Sequence, residues 1–161
     1  MAKIVALDPY VSVAHQLVEA DFAEIAARGF RSVVNNRPDG EVPDQLPDAQ
    51  AAEAASRLGL AYRYLPVTHH NVTDDEVVDT FAQLMDVLPA PILFYCRTGT
   101  RCTLLWTQVA ARRLGVEEAL EAAARAGYDM EVLRDDLIER HGALASAPAG
   151  RPAPFVPAPT A

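Results

Sequence analysis

The sequence lacks several features that would assign it to familiar classes of protein. It has two cysteines in 161 residues, which is too few for a disulfide framework, and no cysteine or histidine cluster has zinc-site spacing. No apolar run approaches the roughly 20 residues that a membrane-spanning helix needs. The first residues also lack the charged and apolar regions of a signal peptide. We therefore expect a cytoplasmic protein without a metal or other cofactor.

Basic residues are scarce as well. Lysine and arginine total 14 against 22 acidic residues, which gives a formal net charge of -8 at pH 7. Such a surface does not favour docking on phosphate backbones or anionic lipids, so neither nucleic acid nor a membrane is an expected partner. No feature of the sequence indicates an oligomeric state.

The composition predicts one domain followed by a tail. Half of the residues are hydrophobic, and a chain of this length can bury one sizeable core. From Ala145 onward the sequence consists largely of alanine and proline, which bury too little apolar surface to offset the entropy cost of ordering. We expect a domain over residues 1–144 and a flexible Ala/Pro-rich tail over residues 145–161.

Strand and helix patterns alternate along the domain. Short β-branched or apolar segments predict strands at residues 11–16, 30–35, 60–65 and 91–95, the last of them buried on both faces. Helical periodicity predicts helices at residues 48–58, 102–114, 117–126 and 130–141, one that ends at Gly29, and one with an apolar stripe over residues 77–88 and an N-cap at Thr73. The alternation indicates a single α/β domain with a mostly parallel central sheet flanked by helices.

The most informative segment is residues 94–103 (FYCRTGTRCT), where a buried strand leads through a small-residue loop into a helix. Backbone N–H groups of such a loop converge above the strand end, and the helix dipole adds partial positive charge. With Arg97 and Arg101, these dipoles should lower the pKa of the Cys96 thiol and give a nucleophilic thiolate. A small buried hydrophobe is the alternative role for Cys96, but it would not need flanking arginines or Gly99.

Two longer motifs carry a resemblance to a known family. Residues 30–41 (FRSVVNNRPDGE) resemble a strand-and-turn signature, and residues 95–101 (YCRTGTR) resemble an active loop. Both are typical of the phosphatase-like domain of the bacterial beta-lactamase hydrolase-like family, which residues 10–142 resemble as a whole. That family has the dual-specificity or tyrosine phosphatase-like fold and is also described as a sulfurtransferase. The resemblance implies that Cys96 is the nucleophile and Arg101 its anion-binding partner.

The loop between these two residues is the expected substrate-binding segment. Arg101 offers a planar fork that can bind two oxygens of a phosphate or sulfonate at once. Glycine permits the backbone bend in the loop. We expect catalytic roles for Cys96 and Arg101, and substrate binding by the four residues between them: Arg97, Thr98, Gly99 and Thr100.

Two departures from cysteine phosphatases favour a different chemistry. Those enzymes place five residues between cysteine and arginine, whereas four separate Cys96 from Arg101, as in the six-residue loops of rhodanese-like sulfurtransferases. Dual-specificity phosphatases also use an aspartate general acid, whereas the corresponding residues 66–70 (PVTHH) contain no carboxylate. Asp74 and Asp75 follow in a predicted first helical turn, where stabilisation of the helix N-terminus is the commoner role.

Sulfur transfer avoids the need for an acid, because sulfite and thiolates leave without protonation. The leading hypothesis is therefore a sulfurtransferase that passes sulfane sulfur from thiosulfate or a persulfide through a Cys96 persulfide. Its partners would be a small anionic sulfur donor and a thiol acceptor. The alternative is a cysteine-based phosphatase with a Cys96 phosphocysteine and with Asp74 or Asp75 as acid. A non-catalytic module that keeps the anion pocket is the third hypothesis.

Three other features stay open at this point. Cys102 is either a resolving thiol for Cys96 or a small side chain packed under the loop. His69 and His70 are not expected to form a metal site, because adjacent side chains point in different directions and the sequence offers no third ligand. The most that we expect of them is contact with the substrate. The charged turn formed by Asn36, Arg37, Asp39 and Glu41 either rims the site or is a solvated turn.

Overall fold

The computed structural model describes residues 1–142, so the tail predicted at residues 145–161 lies outside the described residues. Strands and helices alternate within this part of the chain. The strands are β1 (Ile4–Ala6), β2 (Val11–Ala14), β3 (Ser32–Asn35), β4 (Ala61–Tyr64) and β5 (Ile92–Tyr95). The helices are α1 (Asp21–Ala27), α2 (Asp48–Arg57), α3 (Asp75–Val87), α4 (Thr100–Leu114), α5 (Val116–Arg125) and α6 (Arg134–His141), with a single 3₁₀ turn at Glu131–Leu133.

The five strands form one sheet in the order β1-β2-β5-β3-β4. Strands β2, β5, β3 and β4 are parallel, and only β1 is antiparallel to its neighbour. This confirms the expected α/β fold with a mostly parallel sheet. Strand β1 was not predicted, because its three residues are too short to show alternation and it forms only by pairing Ile4 with Ala14.

Strand β5 lies in the middle of the sheet and is buried on both faces, as its unbroken apolar sequence predicts. Ile92 and Phe94 face one core, where Phe94 stacks on Phe81 of α3 with ring centroids 4.2 Å apart. Leu93 and Tyr95 face the other core, beneath α1 and α2. Helices therefore cover both faces of the sheet.

The carboxyl ends of the parallel strands meet in register at one edge of the sheet. Tyr95 of β5 is paired with Ala14 of β2 on one side and with Asn35 of β3 on the other, and Asn35 is paired with Tyr64 of β4. The segments that follow these four residues therefore emerge side by side. In an open parallel sheet this edge is where ligands bind.

Helix α4 is the central helix, because most of its 15 residues are buried. Its polar positions are satisfied internally: Thr103 and Thr107 donate to the carbonyls of Gly99 and Thr103, at 2.8 and 2.7 Å. Trp106 donates its indole N–H to Asp8, at 2.9 Å. Within residues 1–142, no helix combines the length and the apolar character needed to cross a bilayer.

Several helix starts differ from the sequence expectation, among them that of α6, which begins at Arg134 after the 3₁₀ turn and not at residue 130. Helix α4 begins at Thr100, two residues before the predicted start, so Cys102 lies inside the first turn. Helix α3 has its N-cap at Asp74, and Asp74 makes no side-chain capping bond, so the capping box predicted from Thr73 is wrong. Helix ends are the parts of an element that local side-chain signals define least closely.

Candidate active site

The loop after β5 is folded so that its N–H groups face the sulfur of Cys96. Gly99 donates its N–H to Cys96 Sγ at 3.2 Å. The loop carbonyls are bonded to groups outside the loop: Arg97 O accepts from Gln16 N at 3.1 Å, and Thr98 O accepts from the Tyr128 hydroxyl at 2.9 Å. Because the carbonyls are held elsewhere, the donors of the loop are left to surround the sulfur.

Gly99 closes this loop in a left-handed conformation, with φ of 83°. A side chain at this position would also meet the Tyr128 hydroxyl, since a Cβ would lie 2.4 Å from its oxygen. Gly99 therefore lies against Tyr128 behind the loop, and it is not among the residues that line the pocket. The backbone bend predicted at Gly99 is therefore present, and the substrate contact predicted for Gly99 stays a prediction.

The pKa of Cys96 is lowered to about 5, and the thiol is therefore a thiolate at neutral pH. The largest cause is a hydrogen bond from the Cys102 thiol, and the backbone N–H groups of Cys102, Thr98 and Arg101 add to it against the opposing effect of burial. The sequence predicted the direction of this shift. The sequence analysis attributed part of this shift to the charges of Arg97 and Arg101, whereas the leading cause is hydrogen bonding to the sulfur.

Cys102 is fully buried beneath the loop, in the same core cluster as Cys96. Burial and the neighbouring thiolate raise the pKa of Cys102 well above its usual value, so its proton stays in place. This position agrees with the packing interpretation of Cys102. Cys102 has a second role as well, because a hydrogen bond from its thiol is the largest cause of the lowered pKa of Cys96.

Arg101 is fixed at the pocket by a two-pronged ion pair with Glu41. Its Nη1 and Nη2 donate to the two carboxylate oxygens at 2.7 and 2.9 Å, and Nη1 also donates to Val67 O at 2.9 Å. Glu41 also accepts from Arg37 Nε at 2.7 Å. These arginines, Arg101 first, lower the pKa of Glu41 to about 2. The guanidinium of Arg101 is therefore held at the edge of the loop before any anion arrives.

The turn that carries Glu41 supports the site and is not simply solvated. Arg37 is 3% exposed and donates to Gln16 at 3.0 Å. Gln45 ties the turn together, donating to Pro38 O at 2.8 Å and accepting from Glu41 N at 3.2 Å. The Arg101–Glu41 pair joins residues 60 positions apart, so no local sequence signal could have identified it.

A pocket of about 530 Å³ opens above the loop. It contains most of the residues expected to bind substrate, together with both histidines of residues 66–70. Its lining is Arg37, Glu41, Val42, Thr68, His69, His70, Arg97, Thr98, Thr100 and Arg101. Three arginines and one carboxylate give this pocket a positive charge in a chain whose net charge is -8. Such a pocket suits a small anion.

The two aspartates considered as general acids are not in this pocket. Asp75 forms an ion pair with Arg140 and lines a separate pocket beside His141. Asp74 is the exposed N-cap of α3 and is absent from the lining around the loop. Tyr128, which the sequence analysis missed, contacts the loop instead. Its 30-residue separation from Thr98 leaves no local signal for that contact.

The sequence matches one protein family. Residues 3–113 match the family model described as "Beta-lactamase hydrolase-like protein, phosphatase-like domain". A beta-lactamase hydrolase-like protein of Agrobacterium fabrum is 35% identical over 104 residues, which is 65% of this chain and 24% of the relative. One of Xylella fastidiosa is 31% identical over 130 residues, 80% of this chain and 30% of the relative. The chain thus spans about a quarter to a third of these relatives.

Solved structures show the same fold. A candidate phosphatase from Neisseria meningitidis superposes with a TM-score of 0.75 at 36% identity, covering 84% of this chain and 96% of that one. Kinase-associated phosphatase, with its catalytic cysteine replaced by serine, superposes with a TM-score of 0.68 at 14% identity, covering 90% of this chain and 96% of that one. At that identity the second likeness concerns the fold alone.

Proposed function

The chain belongs to the phosphatase-like domain family of beta-lactamase hydrolase-like proteins, and from this premise we propose that it is a cysteine-dependent phosphatase acting on phosphate monoesters. The observation that carries the proposal is the thiolate of Cys96, which accepts hydrogen bonds from N–H groups of the loop. Arg101 lies at the same loop, and its guanidinium is already held in place by Glu41. Relatives of the same fold are named phosphatases. These findings favour hydrolysis over the sulfur transfer that the loop length and the missing general acid suggested.

In the first step the Cys96 thiolate attacks phosphorus. An S–P bond forms as the ester P–O bond breaks, and the leaving oxygen takes a proton. The phosphoryl oxygens are bound by the loop N–H groups and by Arg101. Because these donors are in place beforehand, they stabilise the transition state without reorganisation.

In the second step water attacks the phosphocysteine. The S–P bond breaks, inorganic phosphate leaves, and the thiolate of Cys96 is restored with its hydrogen bonds from Cys102 and Gly99. The low pKa that makes Cys96 a nucleophile also makes it a good leaving group in this step. Arg97, Thr98 and Thr100, at the mouth of the pocket, would contact the rest of the substrate.

Phosphate release from an aryl phosphate tests this proposal. We expect the Cys96→Ser variant to lose at least about a thousandfold in kcat/KM, as enzymes do when their nucleophile is removed. Arg101→Lys should lose about 100-fold or more in kcat/KM, because a single lysine ammonium cannot make the paired hydrogen bonds of a guanidinium. Arg57→Lys is the matched control, because Arg57 is exposed on α2 and away from the pocket. Retention of activity by Cys96→Ser would refute the proposal.

Sulfur transfer is kept as a second candidate because of one specific observation. Glu41 is the only carboxylate that lines the pocket within residues 1–142, and its pKa of about 2 leaves it no proton to donate. A reaction that expels sulfite needs no such proton. The test is the intact mass of the reduced protein after treatment with thiosulfate. One sulfur added on Cys96, and removed by a thiol, would favour this candidate and a small anionic sulfur donor as substrate.

A further inference from the structure

The proposed hydrolysis requires a proton for the leaving oxygen, and most side chains near Cys96 cannot supply it. Glu41 is ionised and bound by two arginines. Asp75 is paired with Arg140 at another pocket. The Tyr128 hydroxyl is bonded to Thr98 O, and burial raises the pKa of Tyr128. None of the three can act as the acid.

His69 and His70 are left as candidates. Both are exposed, and both line the same pocket as Arg97 and Thr98 of the loop. Within residues 1–142 neither imidazole has a hydrogen-bond or ion-pair partner, so their nitrogens are available to a substrate. Imidazole is the side chain that gains and loses a proton most readily near neutral pH.

The backbone that carries the two histidines is held in place beside the catalytic arginine. Val67 accepts from Arg101 through its carbonyl and donates its N–H to Asn36 O, both at 2.9 Å. Thr68 N donates to Asn71 Oδ1 at 2.9 Å, and His70 N donates to Thr68 Oγ1 at 3.2 Å. This short turn therefore fixes the backbone of both histidines relative to Arg101.

We propose that the pair His69 and His70 serves as the general acid of this site in place of a carboxylic acid. The inference rests on the proposed phosphatase function. One imidazolium N–H gives its proton to the ester oxygen as the P–O bond breaks, so the alcohol leaves neutral. The resulting imidazole then accepts a proton from the water that attacks the phosphocysteine, which restores the imidazolium for the next turnover.

The test compares leaving groups. The wild type and the His69→Asn/His70→Asn double variant are assayed with phenyl phosphate, whose leaving group needs a proton, and with dinitrophenyl phosphate, whose leaving group does not. We expect the double variant to lose about 100-fold or more in kcat/KM on phenyl phosphate and little in kcat/KM on dinitrophenyl phosphate, because kcat/KM reports the step that breaks the P–O bond and not the later hydrolysis of the phosphocysteine. The two single variants then assign the proton to one histidine.

The matched control is His141→Asn, which changes a histidine that lines the other pocket. Equal losses of kcat/KM on the two substrates would overturn the proposal, since they would indicate a binding role. An unchanged double variant would overturn it too. Cys96-dependent hydrolysis of dinitrophenyl phosphate by the wild type separates these outcomes from failure of the proposed function. Its absence would overturn the function and this inference together.

Discussion

The charge of Cys96 depends on a second cysteine that has no contact with solvent. Cys102 retains its proton because it is fully buried, and that proton is donated to the sulfur of Cys96. Two residues of the same type thus have pKa values shifted in opposite directions. Such separation is a common feature of catalytic pairs.

Replacing Cys102 by alanine removes this donor, so we predict a higher pKa for Cys96. A hydrogen bond to a charged group is worth about 1.5–3 kcal/mol, which corresponds to a rise of about one pH unit or more. The pH dependence of Cys96 alkylation measures it, and in the wild type its midpoint should lie near 5. Cys102→Ser is the control, since a hydroxyl can still donate. An unchanged midpoint in Cys102→Ala would contradict the assignment.

Replacing Glu41 by glutamine removes the carboxylate that binds both terminal nitrogens of Arg101. We predict a loss of about 10- to 100-fold in kcat/KM, because the guanidinium is no longer held in position. The rise of kcat/KM with pH near 5 should remain, since Cys96 and not Glu41 titrates there. A pH–rate profile of both proteins checks this. If the rise of kcat/KM near pH 5 disappeared in Glu41→Gln, the titration of Glu41 and not that of Cys96 would control the rate there.

At the scale of elements, the turn between β5 and α4 fits only when position 99 lacks a side chain. In Gly99→Ala a Cβ would combine the strain of φ 83° with a 2.4 Å contact to the Tyr128 hydroxyl. The strain alone costs roughly 1–2 kcal/mol. We predict that Gly99→Ala is destabilised by more than this and loses activity, as chemical denaturation and a phosphate-release assay would measure.

Gly59→Ala is the control for that experiment, because Gly59 has φ of 72° and open space around it. Its variant should show the strain cost without loss of activity. Adding Tyr128→Phe to Gly99→Ala removes the oxygen and should recover part of the stability. Equal destabilisation at the two glycines would mean that the contact with Tyr128 contributes nothing.

The sequence was sufficient for the elements whose signals are local. The unbroken apolar run predicted β5, and the loop pattern identified Cys96, which lies buried beneath the loop, and Arg101, which lines the pocket. Features formed by distant residues could not be predicted in this way. Strand β1 forms only by pairing with β2, and Glu41 reaches Arg101 only because the loops after β3 and β5 leave the sheet at the same edge.

At the scale of the whole molecule, the ionisation of Cys96 makes the free energy of unfolding depend on pH. The pKa of Cys96 is lowered from its ordinary value of 9.0 to about 5. A group with a lower pKa in the folded state stabilises that state above its unfolded pKa, and the contribution is lost as pH falls through the folded pKa. For Cys96 the stabilisation therefore grows between about pH 5 and about pH 9.

We predict that the difference in unfolding free energy between the wild type and Cys96→Ser increases across this range. Serine does not ionise there, so the variant lacks the contribution of the thiolate. Urea denaturation under reducing conditions, at the two ends of the range, measures the difference. A difference that is constant with pH would contradict a thiolate in the folded protein.

The chain covers only 24% and 30% of two full-length relatives, yet nucleophile, arginine and pocket all lie within it. We therefore expect the chemistry of Cys96 to be observable with this chain alone. Reaction with an aryl phosphate, rapid acid quenching and measurement of the intact mass test it most directly. We expect one phosphoryl group on Cys96, absent from Cys96→Ser. No phosphoryl adduct, together with one sulfur added to Cys96 by thiosulfate, would contradict the phosphatase and establish sulfur transfer instead.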